Sequence, residues 1–206
     1  MIRPPAAPLP EPAPLVPGFP TDLRRWGVEV VQILLLAGAI YLAMTAFLAE
    51  PFVVEMRSME PTIASNDRVL IDKLTPRWDA YGHGEVVVFD APPPFDRDAV
   101  PYIKRVIALP GERVQLENGR VYVTDVEGLT RRLDEPYLAA DVRTLPQGRS
   151  GAIEWTVGEG EIFVLGDNRS ASVDSRTFGP VETTRILGRA WFRYLPLERI
   201  GIIADG

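Results

Sequence analysis

Residues 114–123 have the sequence Val-Gln-Leu-Glu-Asn-Gly-Arg-Val-Tyr-Val. Apolar and polar side chains alternate on both sides of Asn118-Gly119, which is the pattern of two half-buried strands. Asn-Gly is favoured in the two-residue type I′ turn, because both positions of that turn need a positive φ. The stretch therefore predicts a β-hairpin, and it indicates the fold class because similar strand signals recur along the chain.

Short apolar runs lie on both sides of this hairpin. They are rich in β-branched and aromatic residues and are bounded by Gly, Pro, Asp or Asn, as strands are. The prediction is an all-β, or strongly β-dominated, domain over residues 50–206, in which a more polar segment at about 117–156 is an insertion between two halves of the core. The runs are 52–54, 69–71, 86–89, 102–109, 153–157, 162–165 and 186–194.

The first 20 residues contain eight of the 20 prolines of the chain. Proline lacks the N–H group that helices and sheet ladders need. Residues 1–20 are therefore predicted to form a disordered tail.

Residues 24–49 are predicted to form one transmembrane helix. Residues 33–49 contain no charge and no proline, and the apolar run from residue 28 is long enough to cross a hydrocarbon core of roughly 30 Å. The alternatives are a cleaved signal peptide, whose apolar region is usually shorter, and a buried helix of a soluble domain, which usually keeps a polar stripe. Arg24 and Arg25 precede the run, so the positive-inside rule predicts a single-pass signal-anchor with a cytoplasmic tail and an extracytoplasmic domain.

Composition excludes several kinds of site. The chain of 206 residues has a net charge of −6 and no block of basic residues, which argues against nucleic-acid binding. It has no cysteine and one histidine, His83. Disulfides, thiol nucleophiles and histidine-rich metal centres are therefore excluded.

Lys104 lies within the apolar run 102–109, where strand alternation places it on the same face as Tyr102 and Val106. One interpretation is an ordinary solvated lysine. The other is a buried lysine, whose pKa would fall towards neutrality because burial disfavours the charged form. A neutral amine could then take the proton of a serine hydroxyl, as in known Ser–Lys pairs.

Ser58 lies in an irregular segment, because Pro61 biases Glu60 towards an extended conformation. It is either a turn serine with a local hydrogen bond or an accessible nucleophile. Further along the chain, Asp174 and Arg176 are either a simple ion pair or part of a scaffold that orients the lysine.

Three motifs occur in a fixed order after the apolar segment. In that order they resemble the motifs of bacterial type I signal peptidases, and the resemblance covers about residues 24–195. The motifs are Ser58-Met59-Glu60-Pro61-Thr62, Tyr102-Ile103-Lys104-Arg105-Val106-Ile107, and Gly166-Asp167-Asn168-Arg169 followed by Asp174-Ser175-Arg176.

The resemblance implies a β-rich catalytic domain with a smaller β insertion, anchored at the outer face of the cytoplasmic membrane. It would remove signal peptides from secreted preproteins after Ala-x-Ala sites. It implies no metal and no cofactor, and its partners are preprotein signal peptides and the lipid bilayer. Ser58 would be the nucleophile and Lys104 the general base, with Ser172 orienting the lysine. The other matched positions are supporting residues (Asn168, Asp174 and Arg176) and substrate-pocket residues (Phe52, Val54, Met59, Tyr102 and Ile103).

The chain departs from the family pattern at some positions. Met56 stands where some members have a serine that donates to the oxyanion, and Ser170, Ala171 and Phe178 stand where Asp, Asn and Trp are common. Eukaryotic relatives use a histidine in place of the lysine. Since Lys104 fills that position here, His83 is predicted to be a surface turn residue.

Three alternatives remain at this stage. A specialised processing peptidase would share these motifs but act on one substrate. A self-cleaving repressor would also use a Ser–Lys pair, but it needs a DNA-binding domain. A membrane-anchored β module that binds secreted chains without cleaving them is the alternative from another class.

Overall fold

The computed structural model of the protein describes residues 23–47, 49–73, 80–96 and 100–204. The chain divides into two units, residues 1–42 and residues 43–206. Helix α1 spans Leu23–Phe47. No helix within the described ranges combines the length and apolar character needed to cross a membrane. The tail predicted for residues 1–20 lies outside the described residues.

The rest of the described chain is dominated by β-structure, as predicted. Within it, two antiparallel sheets are built from short strands. The larger sheet has the order β1-β2-β11-β3-β4-β9-β10, with β12 paired to β11. Its strands are β1 (Ala49–Val53), β2 (Arg68–Asp72), β3 (Val86–Phe89), β4 (Tyr102–Ala108), β9 (Glu161–Leu165), β10 (Val181–Glu182), β11 (Ile186–Leu195) and β12 (Gly201–Ile202).

The smaller sheet has the order β7-β6-β5-β8. Its centre is the predicted hairpin, in which Glu117 pairs with Arg120 across the turn. Asn118 and Gly119 have φ values of 52° and 75°, so the turn has the positive φ angles of type I′ and that prediction is confirmed. The strands are β5 (Arg113–Glu117), β6 (Arg120–Thr124), β7 (Thr130–Arg132) and β8 (Glu154–Thr156).

Strand β4 lies at the centre of the larger sheet, between β3 and β9. Every residue from Ile103 to Ala108 is buried, so the strand has no solvent-facing side. Strand β3 is likewise buried along its whole length. The two cationic residues of β4, Lys104 and Arg105, are therefore held inside the protein, and each needs a specific environment there.

One hydrophobic cluster joins the two sheets. From the smaller sheet it contains Val114, Leu116, Val121 and Val123, and from the larger sheet it contains Ile107, Ala108, Phe163 and Leu165. Burying each large side chain of this kind contributes about 1.5–3 kcal/mol. The two sheets consequently share part of one core, which fixes the position of the smaller sheet relative to β4 and β9.

The larger sheet ends at β1, which pairs with β2 through the register Phe52–Val69. On its other side β1 has no strand partner within the part of the chain that the structure describes. An unpaired edge presents backbone N–H and C=O groups that can accept another extended chain. This edge immediately precedes the segment that carries Ser58.

Candidate active site

Ser58 and Lys104 are 46 residues apart in sequence and meet inside the protein. The ammonium nitrogen of Lys104 donates to Ser58 Oγ at 2.7 Å and to the carbonyl oxygen of Ile103 at 2.9 Å. Lys104 is 1% exposed and Ser58 is 5% exposed. Burial excludes the interpretation of Lys104 as a solvated strand lysine.

Burial lowers the pKa of Lys104 to about 8, because a charged ammonium loses its hydration in this environment. The negative charges of Asp174 and Asp167 oppose this effect and favour the ammonium form. The ring of Tyr102 lies 5.0 Å from the lysine nitrogen and covers one side of it. A lysine with this pKa is partly neutral near physiological pH, so it can accept the proton of the serine hydroxyl.

Asn168 holds the segment that carries Ser58. Its backbone amide donates to the Ser58 carbonyl oxygen at 2.9 Å, and its side-chain Nδ2 donates to the Arg57 carbonyl oxygen at 3.1 Å. Within the segment, the amide of Ile63 donates to the Met59 carbonyl oxygen at 2.9 Å. The Ser58 backbone is thus fixed from the side of the third motif.

Gly166 and Ser172 lie directly behind Ser58. A β carbon at Gly166 would stand 2.2 Å from Ser172 Oγ and 2.5 Å from the Ser58 carbonyl oxygen, so only glycine fits there. Ser172 is buried, but its hydroxyl has no hydrogen-bond partner among the described residues, Lys104 included. The structure therefore places Ser172 beside the site without the hydrogen bond to Lys104 that the resemblance implies.

Asp174 and Arg176 form a fully buried pair. Asp174 accepts from Arg176 Nε at 2.8 Å and from Arg176 Nη2 at 2.7 Å. It also accepts from the backbone amide of Gly166 at 3.1 Å, and it caps the short helix α2 (Ser175–Phe178). Asp174 thus forms the ion pair and also supports the turn behind Ser58, while its charge favours the ammonium form of Lys104.

Arg105 and Asp167 form a second buried pair that the sequence interpretation missed. Arg105 donates from Nε at 3.0 Å and from Nη2 at 2.8 Å to the two carboxylate oxygens of Asp167. Its Nη1 donates to the carbonyl oxygens of Gly84 and Ala204. The signal was an arginine inside an apolar strand, which requires a buried carboxylate. The pair joins β4 to the turn that holds Asn168.

Arg169 is also buried and was not predicted. It donates to the hydroxyl of Thr144 and to the carboxylate of Glu135, and its Nε donates to the Gly166 carbonyl oxygen at 3.0 Å. Arg169 therefore connects the segment after β7 to the turn behind Ser58.

The five predicted substrate-pocket residues take different places. Phe52 and Ile103 line a cleft of about 200 Å³, together with Met56, whose thioether cannot donate a hydrogen bond. Val54 and Met59 are fully buried in the core cluster that Ile103 also joins. Tyr102 packs instead against Lys104 and the rings of Phe89 and Phe178.

His83 lies away from this arrangement. Its Nε2 is 2.7 Å from the Glu112 carboxylate, and its side chain is 41% exposed. This agrees with the predicted surface turn residue. Among the residues that the structure describes, no group of three or more His, Asp or Glu side chains could hold a metal ion.

The family profile and the relatives that resemble this chain are all described as signal peptidases. The profile of the family described as signal peptidase, peptidase S26, matches residues 23–195. The chain is similar to a probable signal peptidase I-2 of Synechocystis sp., at 36% identity over 86% of this chain and 78% of that protein. It is 32% identical to a signal peptidase I of Bacillus licheniformis, over 87% of this chain and 95% of the relative. It is 35% identical to a signal peptidase I of Bacillus caldolyticus, over 85% and 92% of the two chains.

Proposed function

Because this chain belongs to the signal peptidase family, peptidase S26, we propose that it is a membrane-bound serine endopeptidase that removes signal peptides from secreted preproteins. The observation that carries the proposal is the 2.7 Å contact between Lys104 Nζ and Ser58 Oγ. A buried lysine with a lowered pKa next to a serine hydroxyl is the arrangement needed for Ser–Lys catalysis.

The proposed reaction begins with neutral Lys104. Its amine takes the proton of Ser58 Oγ while that oxygen attacks the carbonyl carbon of the scissile bond. The resulting ammonium gives its proton to the nitrogen of the leaving mature chain, and the signal peptide stays on Ser58 as an ester. Lys104, neutral again, takes a proton from water as the water oxygen attacks the ester carbonyl. The ammonium then returns that proton to Ser58 Oγ as the ester bond breaks and the signal peptide leaves.

Ser58 also supplies the backbone N–H proposed for the oxyanion. Met56 offers no side-chain donor at the position where some relatives have a serine. In other enzymes, removing one oxyanion donor costs roughly 2.7–4 kcal/mol. Catalysis by this chain then depends more strongly on the backbone position of Ser58, which Asn168 fixes.

The proposed substrate is an extended chain that ends in Ala-x-Ala before the cut. It would add as a strand along the free edge of β1, so that main-chain hydrogen bonds bind it and alternate side chains enter pockets. The small cleft beside Phe52 and Ile103 supports a preference for alanine-sized side chains. Val54, Met59 and Tyr102 would support the residues of this cleft from the interior of the protein.

Attachment to the cytoplasmic membrane is proposed from the sequence alone. Residues 33–49 are free of charge and proline, and Arg24 and Arg25 precede them. The expected topology is a single pass with the catalytic domain outside the cytoplasm. Protease digestion of intact spheroplasts that removes residues 50–206 would support it, and full release of the protein by alkaline carbonate would contradict it.

The test is cleavage of a preprotein with an Ala-x-Ala site by full-length protein in detergent and lipid. Wild type should cut after the second alanine, while Ser58→Ala and Lys104→Ala should lower kcat/KM by about 10³-fold or more and stay folded. A chelator should leave the rate unchanged. Activity that survives in Lys104→Ala would overturn the mechanism. Cleavage of one preprotein only would indicate a specialised processing enzyme, and binding without cleavage would indicate a binding module.

A further inference from the structure

A second cleft, of about 430 Å³, is lined by residues that follow Ser58 in sequence, whereas the cleft at Phe52 is lined by residues that precede it. One wall is formed by Glu60 and Pro61, which follow Ser58 in sequence, and by Asn168. The opposite wall is formed by Leu138, Ala139 and Val142, from the segment between β7 and β8. Its volume falls within the range of about 300–1,000 Å³ found for ligand pockets.

The order of residues along the Ser58 segment relates the two clefts to the two sides of the scissile bond. Residues 52, 53, 55 and 56, before Ser58, line the smaller cleft, and residues 60–61, after Ser58, line the larger one. Asn168 lines the larger cleft and also donates to the Ser58 carbonyl oxygen. A substrate that runs parallel to this segment, with its signal-peptide part in the smaller cleft, would continue past Ser58 towards the larger one.

We propose that the larger cleft binds the first residues of the mature protein, on the leaving side of the scissile bond. This inference rests on the proposed function and adds a second binding site to it. It also gives the smaller sheet a role, because the segment between β7 and β8 supplies one wall.

That wall is held in place before any substrate arrives. Arg120 donates to the carbonyl oxygens of Ala140 and Val142 at 3.0 and 3.3 Å. Arg143 Nη1 donates to the Asn118 carbonyl oxygen at 2.9 Å, and the Thr144 amide donates to the Gly119 carbonyl oxygen at 3.0 Å. A wall fixed in this way lowers the entropic cost of binding an extended peptide.

Three of the four charged side chains that line the cleft form ion pairs within the protein, whereas the fourth, Arg143, donates to the neutral Asn118 carbonyl oxygen. Asp167 binds Arg105, Arg169 binds Glu135, and Glu60 binds Arg57. The surface that remains for a ligand consists largely of Leu138, Ala139, Pro61 and Val142. The cleft should therefore favour small and medium apolar side chains in the first residues of the mature chain, and should disfavour basic ones, because Arg143 lines it.

Two substrates with the same signal-peptide part separate this site from the catalytic centre. In the long substrate, a mature segment with apolar side chains follows the second alanine. In the short substrate, the second alanine is joined through an amide bond to a small amine, which is the leaving group. Ala139→Trp should lower the ratio of kcat/KM for the long substrate to that for the short one by about tenfold, because the indole fills the cleft. Leu129→Trp, at an exposed residue that does not line the cleft, should leave the ratio unchanged.

Photocrosslinking gives a readout that does not depend on where the new indole points. Full-length Ser58→Ala protein is mixed with an uncut preprotein that carries benzoylphenylalanine at the second or third mature position. Crosslinks to residues 138, 139, 142 and 143 or to residues 60–61 are expected. Crosslinks only elsewhere, or an unchanged ratio in Ala139→Trp, would overturn the inference. If wild type cut neither substrate, the proposed function itself would fail, which is a different result.

Discussion

The backbone amide of Asn168 donates to the carbonyl oxygen of Ser58 at 2.9 Å. These residues belong to different motifs, and the contact joins the turn after β9 to the segment that carries the proposed nucleophile. Because the Asn168 side chain also holds the Arg57 carbonyl oxygen, two successive carbonyl groups are fixed by one residue. The position of Ser58 therefore depends on the geometry of residues 166–168.

Gly166→Ala should strongly reduce peptidase activity. The new β carbon would stand 2.5 Å from the Ser58 carbonyl oxygen and 2.2 Å from Ser172 Oγ, so the backbone of one segment must move. A displacement of this kind can lower kcat about 10²-fold. The measurement is kcat on the preprotein, with thermal unfolding to check folding. Gly82→Ala is the matched control, since its β carbon would meet only Glu85 at 3.4 Å; equal activity of the two variants would contradict the prediction.

Activity should rise with pH through the titration of Lys104. Burial lowers the pKa of this residue to about 8, and only the neutral amine can act as the base. As the pH falls below that value, the neutral fraction and kcat/KM should fall about tenfold per pH unit. The profile is measured with a substrate that has no ionisable group near the cut. A profile that is flat from about pH 6 to about pH 9 would contradict the assignment of Lys104 as base.

Ser172→Ala should lower peptidase activity without lowering the free energy of unfolding. The Ser172 hydroxyl is buried without a hydrogen-bond partner among the described residues, so its removal should leave the free energy of unfolding unchanged or raise it by about 1 kcal/mol. If Ser172 orients Lys104 during the reaction, kcat should nevertheless fall by about 10-fold or more. Urea unfolding and preprotein cleavage measure the two effects. Full activity in Ser172→Ala would remove Ser172 from the proposed site.

Asp167→Leu should destabilise the protein by about 3–5 kcal/mol, because it leaves the buried guanidinium of Arg105 without its carboxylate. The double variant Asp167→Leu with Arg105→Met should lose less than the two single variants combined. Glu154→Gln is the control, since its pair with Arg113 is more than half exposed on both sides and should contribute about 0–1 kcal/mol. Additive losses in the double variant would show that the Arg105–Asp167 pair is not coupled.

Local signals predicted much of this protein. The Asn118-Gly119 turn and the apolar runs indicated antiparallel β-structure, because turn type and strand alternation depend on residues close together in sequence. The approach of Ser58 and Lys104 required the resemblance to a known family. Neither residue carries a local signal stronger than that of a turn serine or a strand lysine.

Contacts between distant segments were not predictable in this way. Arg105 and Asp167 are 62 residues apart, and Arg169 reaches Glu135 across 34 residues. The partner of a buried arginine depends on which strands become neighbours, and the β4–β9 pairing is set by the whole sheet. The places of Val54 and Met59 in the core rather than on a cleft surface follow from the same three-dimensional packing.

The hydrophobic cluster shared by the two sheets limits how this fold can vary during evolution or be shortened in the laboratory. Deleting β5 and β6 would expose Ile107, Phe163 and Leu165 of the larger sheet to water. A shorter homologue must therefore keep that hairpin, or replace the apolar side chains of β4 and β9 that it covers. Segments farther from this contact, such as the turn around Glu127 and Gly128, are the places where lengthening or grafting should be tolerated best.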